Sequence, residues 1–142
     1  MIGYLDTSAF VPMLSTAEST GPACREFWST ADAVVSTRLV YVEAASALAR
    51  GERGGRLVGH QHRRAQALLD SLYVEFELVE IDQRLVHLAA DLTRRFGLRG
   101  YDAVHCAAAA LLDEPDLVAA SGDRKLLAAW RDLGVATYEP AG

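Results

Sequence analysis

Cysteine and proline are scarce, with two and four copies among 142 residues. Cys24 and Cys106 fall on separate expected helices, and no cysteine or histidine arrangement has zinc-ligand spacing. They read as small core residues in a reducing compartment, so a cytoplasmic location is the expectation. Long apolar runs are also missing. The longest, Ala103–Leu112, is interrupted by His105 and too short to cross a bilayer, so no membrane association is expected. The opening Met1-Ile2-Gly3-Tyr4-Leu5-Asp6 lacks the basic stretch and apolar block of a secretory leader. Positive charge is in deficit: 14 Lys and Arg against 19 Asp and Glu give a net charge of −5. That balance argues against a module holding nucleic acid by bulk electrostatics. It leaves room for a nuclease, because carboxylates that hold divalent cations make a chain acidic, and the same acidity complements a basic partner peptide.

What is present suffices for a core. About 51% of the residues are hydrophobic, and the mean hydropathy is +0.09, far from the composition of a disordered chain. No repeat, low-complexity tract or linker divides the chain, so residues 1–142 are expected to form one domain.

Short apolar runs alternate with amphipathic ones. Ile2–Leu5, Ala33–Ser36, Leu117–Ala120 and Val135–Tyr138 read as strands, and Val74–Ile81 as a fifth with one wet side. Helices are expected from Asp6-Thr7-Ser8 to about Thr30 with a break near Gly21-Pro22, and over Leu39–Arg50, Leu57–Leu72, Leu85–Phe96, Tyr101–Leu112 and Arg124–Arg131. Gly51–Gly55 reads as a turn, and Gly97 as a helix C-cap. Five strands separated by helices predict a three-layer α/β/α sandwich around a mostly parallel sheet. Ligands of such sheets sit beyond the carboxyl ends of the strands, where strand order reverses. Asp6 follows the first strand and Asp123 the fourth, so both are expected at that edge.

Four acids stand out. Asp6, Asp102 and Asp123 each occur at the start of an expected helix, where capping or dipole compensation accounts for them as well as catalysis does. Glu43 is harder to explain as structure. Its helical neighbours Leu39, Val40, Ser46 and Ala47 offer no opposite charge, and only Arg50, two turns on, is positioned to lean toward it. An oxygen-only cluster of this kind suits Mg²⁺ or Mn²⁺, and such an ion generates hydroxide and stabilises a leaving oxygen in phosphodiester hydrolysis.

Four segments carry a family resemblance: Tyr4-Leu5-Asp6-Thr7-Ser8, Tyr41-Val42-Glu43-Ala44-Ala45-Ser46-Ala47-Leu48, Tyr101-Asp102-Ala103-Val104-His105-Cys106-Ala107 and Ala120-Ser121-Gly122-Asp123-Arg124-Lys125. In this order and spacing the chain resembles PIN-domain nucleases, specifically the VapC toxins of bacterial toxin–antitoxin modules. The resemblance implies RNA cleavage by a metal-activated water, with Asp6, Glu43, Asp102 and Asp123 as the acidic quartet and Mg²⁺ or Mn²⁺ as cofactor. It implies Asp6 and Asp102 as direct ligands, with Glu43 and Asp123 completing the sphere directly or through water. It also implies a VapB-type antitoxin partner and a homodimer. Thr7, Ser8 and Ser121 carry hydroxyls suited to orienting ligands or waters, or to ordinary capping. Ser121 stands where many relatives carry Thr.

Several residues stay between two readings. His105, one helical turn after Asp102, faces either the same cleft or the core, with a structural or supporting role expected. Arg38, Arg99, Arg124 and Lys125 lie near the acid-bearing junctions and suit phosphate contacts or plain surface charge. His60, His62, Arg63 and Arg64, with Arg50, Arg53 and Arg56 upstream, make the middle segment basic, either a grip for RNA or a wet helix face. Trp28 and Trp130 are expected to pack rather than stack on bases. Two other functions fit less well. A haloacid-dehalogenase-like phosphotransferase would want a second Asp at position 8, which is Ser; a catalytically inactive PIN fold acting as a binding module would not need four acids.

Overall fold

Four residues, Ile2–Leu5 (β1), form the centre of a five-stranded sheet in a computed structural model that describes residues 1–142. The other strands are Ala33–Thr37 (β2), Glu77–Val79 (β3), Leu117–Ala120 (β4) and Ala136–Tyr138 (β5), in the order β3-β2-β1-β4-β5. Every pairing is parallel, with Tyr4 opposite Val35 on one side and Ala119 on the other. The helices are Thr7–Phe10 (α1), Gly21–Thr30 (α2), Leu39–Arg53 (α3), Gly59–Tyr73 (α4), Gln83–Phe96 (α5), Gly100–Leu112 (α6) and Arg124–Asp132 (α7). None is long and apolar enough to cross a membrane.

The twofold alternation of side chains along the strands sorts the core into two layers. Tyr4, Val35 and Ala119 face a cluster shared with α5, α6 and α7, where Leu85, Leu92, Cys106 and Trp130 are buried. Their neighbours Leu5, Val34 and Ala120 face the opposite cluster, built on Phe10, Phe27, Val40, Leu48 and Leu69 from the α1–α4 side. The expected α/β/α sandwich is therefore present, with the sheet wholly parallel. Trp28 and Trp130 both pack: Trp28 stacks on Phe10 at 6.0 Å, and Trp130 meets Tyr4 edge-on at 5.8 Å.

Departures from the sequence reading have local causes. The first helical region breaks earlier than expected: Pro12 lies in a one-turn 3₁₀ segment, Val11–Met13, after α1, and a connection to Thr20 precedes α2. Pro12 has no N–H to continue an α-helical ladder. Helix α3 runs on through Gly51 to Arg53, and the turn follows at Gly54 and Gly55, the latter at φ 78°. A side chain at Gly51 would meet Leu57 at 3.1 Å, so the glycine permits close packing there rather than a turn. The expected strand 74–81 shrinks to β3, because the amides of Glu75 and Phe76 bond back to Leu72 and Tyr73 as α4 unwinds. Gly97 ends α5 at φ 67°, the left-handed conformation a C-cap needs.

Chain order places the reversal at β1. The chain steps from β1 to β2 and β3 on one side, then returns to β4 and β5 on the other. The crevice of a doubly wound sheet thus falls between the carboxyl ends of β1 and β4, and Asp6 and Ser121 are the residues that leave those two ends.

Candidate active site

Asp6 is buried at the mouth of that crevice and heavily solvated by protein donors. Its Oδ1 accepts from the Ala9 amide at 3.0 Å and the Ser8 hydroxyl at 2.8 Å, and its Oδ2 from the Ser121 hydroxyl at 2.7 Å. Capping and site membership are not alternatives here, since two carboxylate oxygens have lone pairs enough for both. Burial raises the Asp6 carboxyl above its ordinary value, against the opposing pull of His105, Ser121, Ser8 and the Ala9 amide.

The two hydroxyls lock the β1 and β4 loops together. Ser121 Oγ also accepts the Asp123 amide at 2.9 Å, and Ser8 Oγ accepts the Gly122 amide at 2.7 Å. Asp123 caps α7, its Oδ1 accepting from the amides of Lys125 and Leu126 at 2.9 and 3.3 Å. Asp102 sits in the first turn of α6 rather than at its cap, which is Arg99. Burial first, and then the Asp123 carboxylate, raise the Asp102 carboxyl, while Arg99 and His105 oppose the shift.

Glu43 projects from α3 with 18% of its side chain exposed, and its partner is His105, whose side chain is 1% exposed. The His105 Nε2 to Glu43 Oε1 distance is 2.7 Å, and His105 Nδ1 lies 2.7 Å from the Tyr4 hydroxyl. A carboxylate only accepts, so Nε2 carries the hydrogen of that bond, and in the neutral ring Nδ1 accepts from Tyr4. Burial pushes the Tyr4 phenol well above its ordinary value, which keeps that proton in place. Tyr4 is itself held edge-on between the His105 ring and Trp130. Thr7 Oγ1 stands 3.5 Å from His105 Nε2. Arg50 does not lean on Glu43 by a direct bond; its Nη1 donates to Ser46 at 2.8 Å.

These side chains share one cavity of about 370 Å³, lined by Asp6, Glu43, Asp102 and Asp123 together with Glu18 and Arg50. Thr7, Ser8 and His105 line it too. Sequence reasoning missed Glu18, which lies in a polar connection without periodicity, and no local signal marks it. It also missed the tie from Tyr4 through His105 to Glu43, whose members are 39 to 101 positions apart. The basic residues near the acids take the surface-charge side of the two readings. Arg124 pairs with Glu139 at 3.2 Å and Arg38 with Glu80 at 2.7 Å, so both are engaged away from the acids. Arg99 stands 3.9 Å from Asp102 with 91% of its side chain exposed, a weak surface pair.

Five carboxylates face one cavity whose lining holds a single guanidinium, that of Arg50, so negative charge is left in excess that a cation would relieve. No three of the chain's Asp, Glu, His and Cys side chains stand close enough to form a ready-made ligand cage. An open, all-oxygen donor set fits a hard ion that keeps several of its waters, as Mg²⁺ does, better than one needing a closed shell of protein ligands.

Comparison with known proteins shows the family and the fold. The sequence profile of the PIN domain family matches residues 3–129. The chain is 36% identical over 123 residues to ribonuclease VapC49 of Mycobacterium tuberculosis, covering 87% of this chain and 85% of that one. Among solved structures, VapC20 of Mycobacterium tuberculosis, a toxin that cleaves the sarcin–ricin loop, superposes with a TM-score of 0.70. That match has 17% identity and covers 89% of this chain and 94% of that one. VapBC2 from Rickettsia felis, solved on a DNA fragment from its promoter, gives 0.68 at 12% identity, covering 99% and 100%. These last two likenesses carry the fold.

Proposed function

The chain belongs to the PIN domain family, among the VapC ribonucleases, and we propose that it is the toxin of a toxin–antitoxin pair that hydrolyses RNA at the acidic cavity. The observation that carries the reading is the meeting of Asp6, Glu43, Asp102 and Asp123 in one cavity at the strand-order reversal. Asp6 and Asp102 are the residues that would hold Mg²⁺ or Mn²⁺, with Glu43 and Asp123 completing the sphere directly or through water. Such an ion, when bound, supplies a water of lowered pKa and neutralises charge on the phosphate.

The protein's own contribution is positioning and proton handling. His105 occupies Glu43 Oε1, which leaves Oε2 without a protein partner and free to accept a proton from the attacking water. In the hydrolysis a P–O bond forms to the water oxygen, the bond to the leaving ribose oxygen breaks, and that oxygen takes up a proton from solvent. Ser8 and Ser121 hold the Asp6 oxygens and the β4 loop in register, so Asp6 and Asp123 do not drift apart.

A VapB-type antitoxin and a homodimeric, cytoplasmic protein belong to the same proposal and rest on the family likeness. The haloacid-dehalogenase-like alternative loses its basis with the family match, and Ser8 is a donor to Asp6 rather than a second acid. The test is incubation of the purified protein with structured RNA and, separately, with a small phosphomonoester. Strand scission that requires Mg²⁺ or Mn²⁺ and stops with a chelator supports the reading; phosphate release without scission overturns it.

A further inference from the structure

The acidic cavity does not end at the acids. It shares Val11, Glu18, Ala47 and Arg50 with a second cavity of about 240 Å³. The second shares Ser15, Ala17, Arg56 and Leu57 with a third of about 500 Å³, between the segment before α2 and helix α4. The three make one groove along the α1–α4 layer, and its charge changes sign along the way. Carboxylates line the first part, Arg50 and Glu18 stand together at the junction, and Arg25, Arg56 and Arg64 rim the far part over an aliphatic floor that includes Met13, Leu57 and Leu68.

These arginines are among those that no carboxylate holds, as Arg84 across the sheet also is, and Arg50 Nη1 donates only to the Ser46 hydroxyl. Arg38, Arg95, Arg99 and Arg124 all have carboxylate partners, whereas Arg25, Arg50, Arg56 and Arg64 have none within ion-pair distance. All four are exposed. An exposed guanidinium without an internal partner keeps its whole charge and its planar fork of donors for an external phosphate.

We propose that this groove is the track of the RNA strand, with the scissile phosphate at the carboxylates and successive phosphates on Arg50, Arg56 and Arg64. The inference rests on the nuclease reading. A polymer cut at the acidic end must leave it across the surface, and the groove continues past Arg50 to the exposed guanidinium groups of Arg56 and Arg64. The lining carries no Phe, Tyr or Trp, and His60 is its one ring, so contacts to the phosphates outnumber stacking positions there. The chain's net acidity does not oppose this, because the field that counts is the local one along the groove.

The test measures anisotropy of a labelled single-stranded oligouridylate of about twelve nucleotides, in chelator so that nothing is cut, across a salt series. The proteins are the wild type, Arg56→Ala/Arg64→Ala, and Arg84→Ala, an exposed arginine on the other side of the sheet. The double variant is expected to bind on the order of tenfold more weakly, with a log–log salt slope shallower by about 1.4, roughly 0.7 for each lost phosphate contact. Arg84→Ala should match the wild type in both. Equal affinity and slope for the double variant would overturn the track. So would unchanged RNA binding combined with lost binding of the co-encoded antitoxin, which would make the groove a protein dock. A wild type that binds RNA through these arginines yet cuts none under any metal upholds the track and removes the nuclease reading, so the two fail separately.

Discussion

His105 Nε2 lies 2.7 Å from Glu43 Oε1 across 62 positions of sequence, and the other face of the same ring is fixed by the Tyr4 hydroxyl. The pair joins α6 to α3 over the end of β1, so the carboxylate that sequence alone leaves unpaired acquires a buried orienting donor. A hydrogen bond to a charged group contributes about 1.5–3 kcal/mol. His105→Ala is therefore expected to lower kcat on the order of tenfold or more while KM for RNA changes little. His105→Gln, which restores an N–H donor, should recover part of kcat. Tyr4→Phe should cost stability of about 1–3 kcal/mol by leaving Nδ1 unpaired in the core, read by urea denaturation. A His105→Ala variant with wild-type kcat would show that Glu43 needs no orientation.

Asp123 caps α7, and the proposed site gives it a second duty that substitution can separate. Asn caps a helix as well as Asp does, whereas Ala at a cap costs about 1 kcal/mol. Asp123→Asn should keep the stability of the wild type within a few tenths of a kcal/mol and lose cleavage. Asp123→Ala should lose both. Denaturation and RNA cleavage measured on the same samples check the split; full activity in Asp123→Asn would leave Asp123 only its cap.

The raised Asp6 and Asp102 carboxyls make stability depend on pH in a stated direction. An acid whose folded pKa exceeds its unfolded one binds its proton more tightly when folded. The stabilisation it gives is complete below the unfolded value, near 3.9 for Asp, and is lost as pH rises through the raised folded value. At neutral pH in chelator, Asp102→Asn should therefore be more stable than the wild type, and the gap should close toward pH 4. Saturating Mg²⁺ should stabilise the wild type by mass action and the variant less. Thermal melts over pH and metal concentration check both; a variant less stable at pH 7 in chelator contradicts the strain assigned to the acids.

Much of this was legible in the residues because it is local. The apolar runs at 2–5 and 117–120 announce β1 and β4, and the acids that follow them announce the crevice edge. Gly97 announces its own left-handed cap. The residues hidden from such reading depend on long-range packing. Pro12 breaks the first helix where an apolar pattern still suggested continuity, and Gly51 reads as a turn though its role is to let Leu57 approach. His105 looked like an interruption of an apolar helix; only the sheet, bringing Tyr4 and Glu43 to either side of it, reveals its partners. Arg99 and Arg124, attractive by proximity in sequence, turn toward carboxylates, whereas Arg56 and Arg64 of the basic middle segment line the far cavity without one.

Metal-dependent RNA hydrolysis is the activity proposed for this carboxylate cavity. Its most direct test is a time course of RNA cleavage in Mg²⁺ by the wild type and by Asp6→Asn and Asp102→Asn, each purified to the same nuclease-free standard and shown to be folded. Scission by the wild type that is abolished by chelator is expected, with loss of at least about two orders of magnitude in rate, some 2.7 kcal/mol, in each variant. Equal cleavage by all three proteins would contradict it.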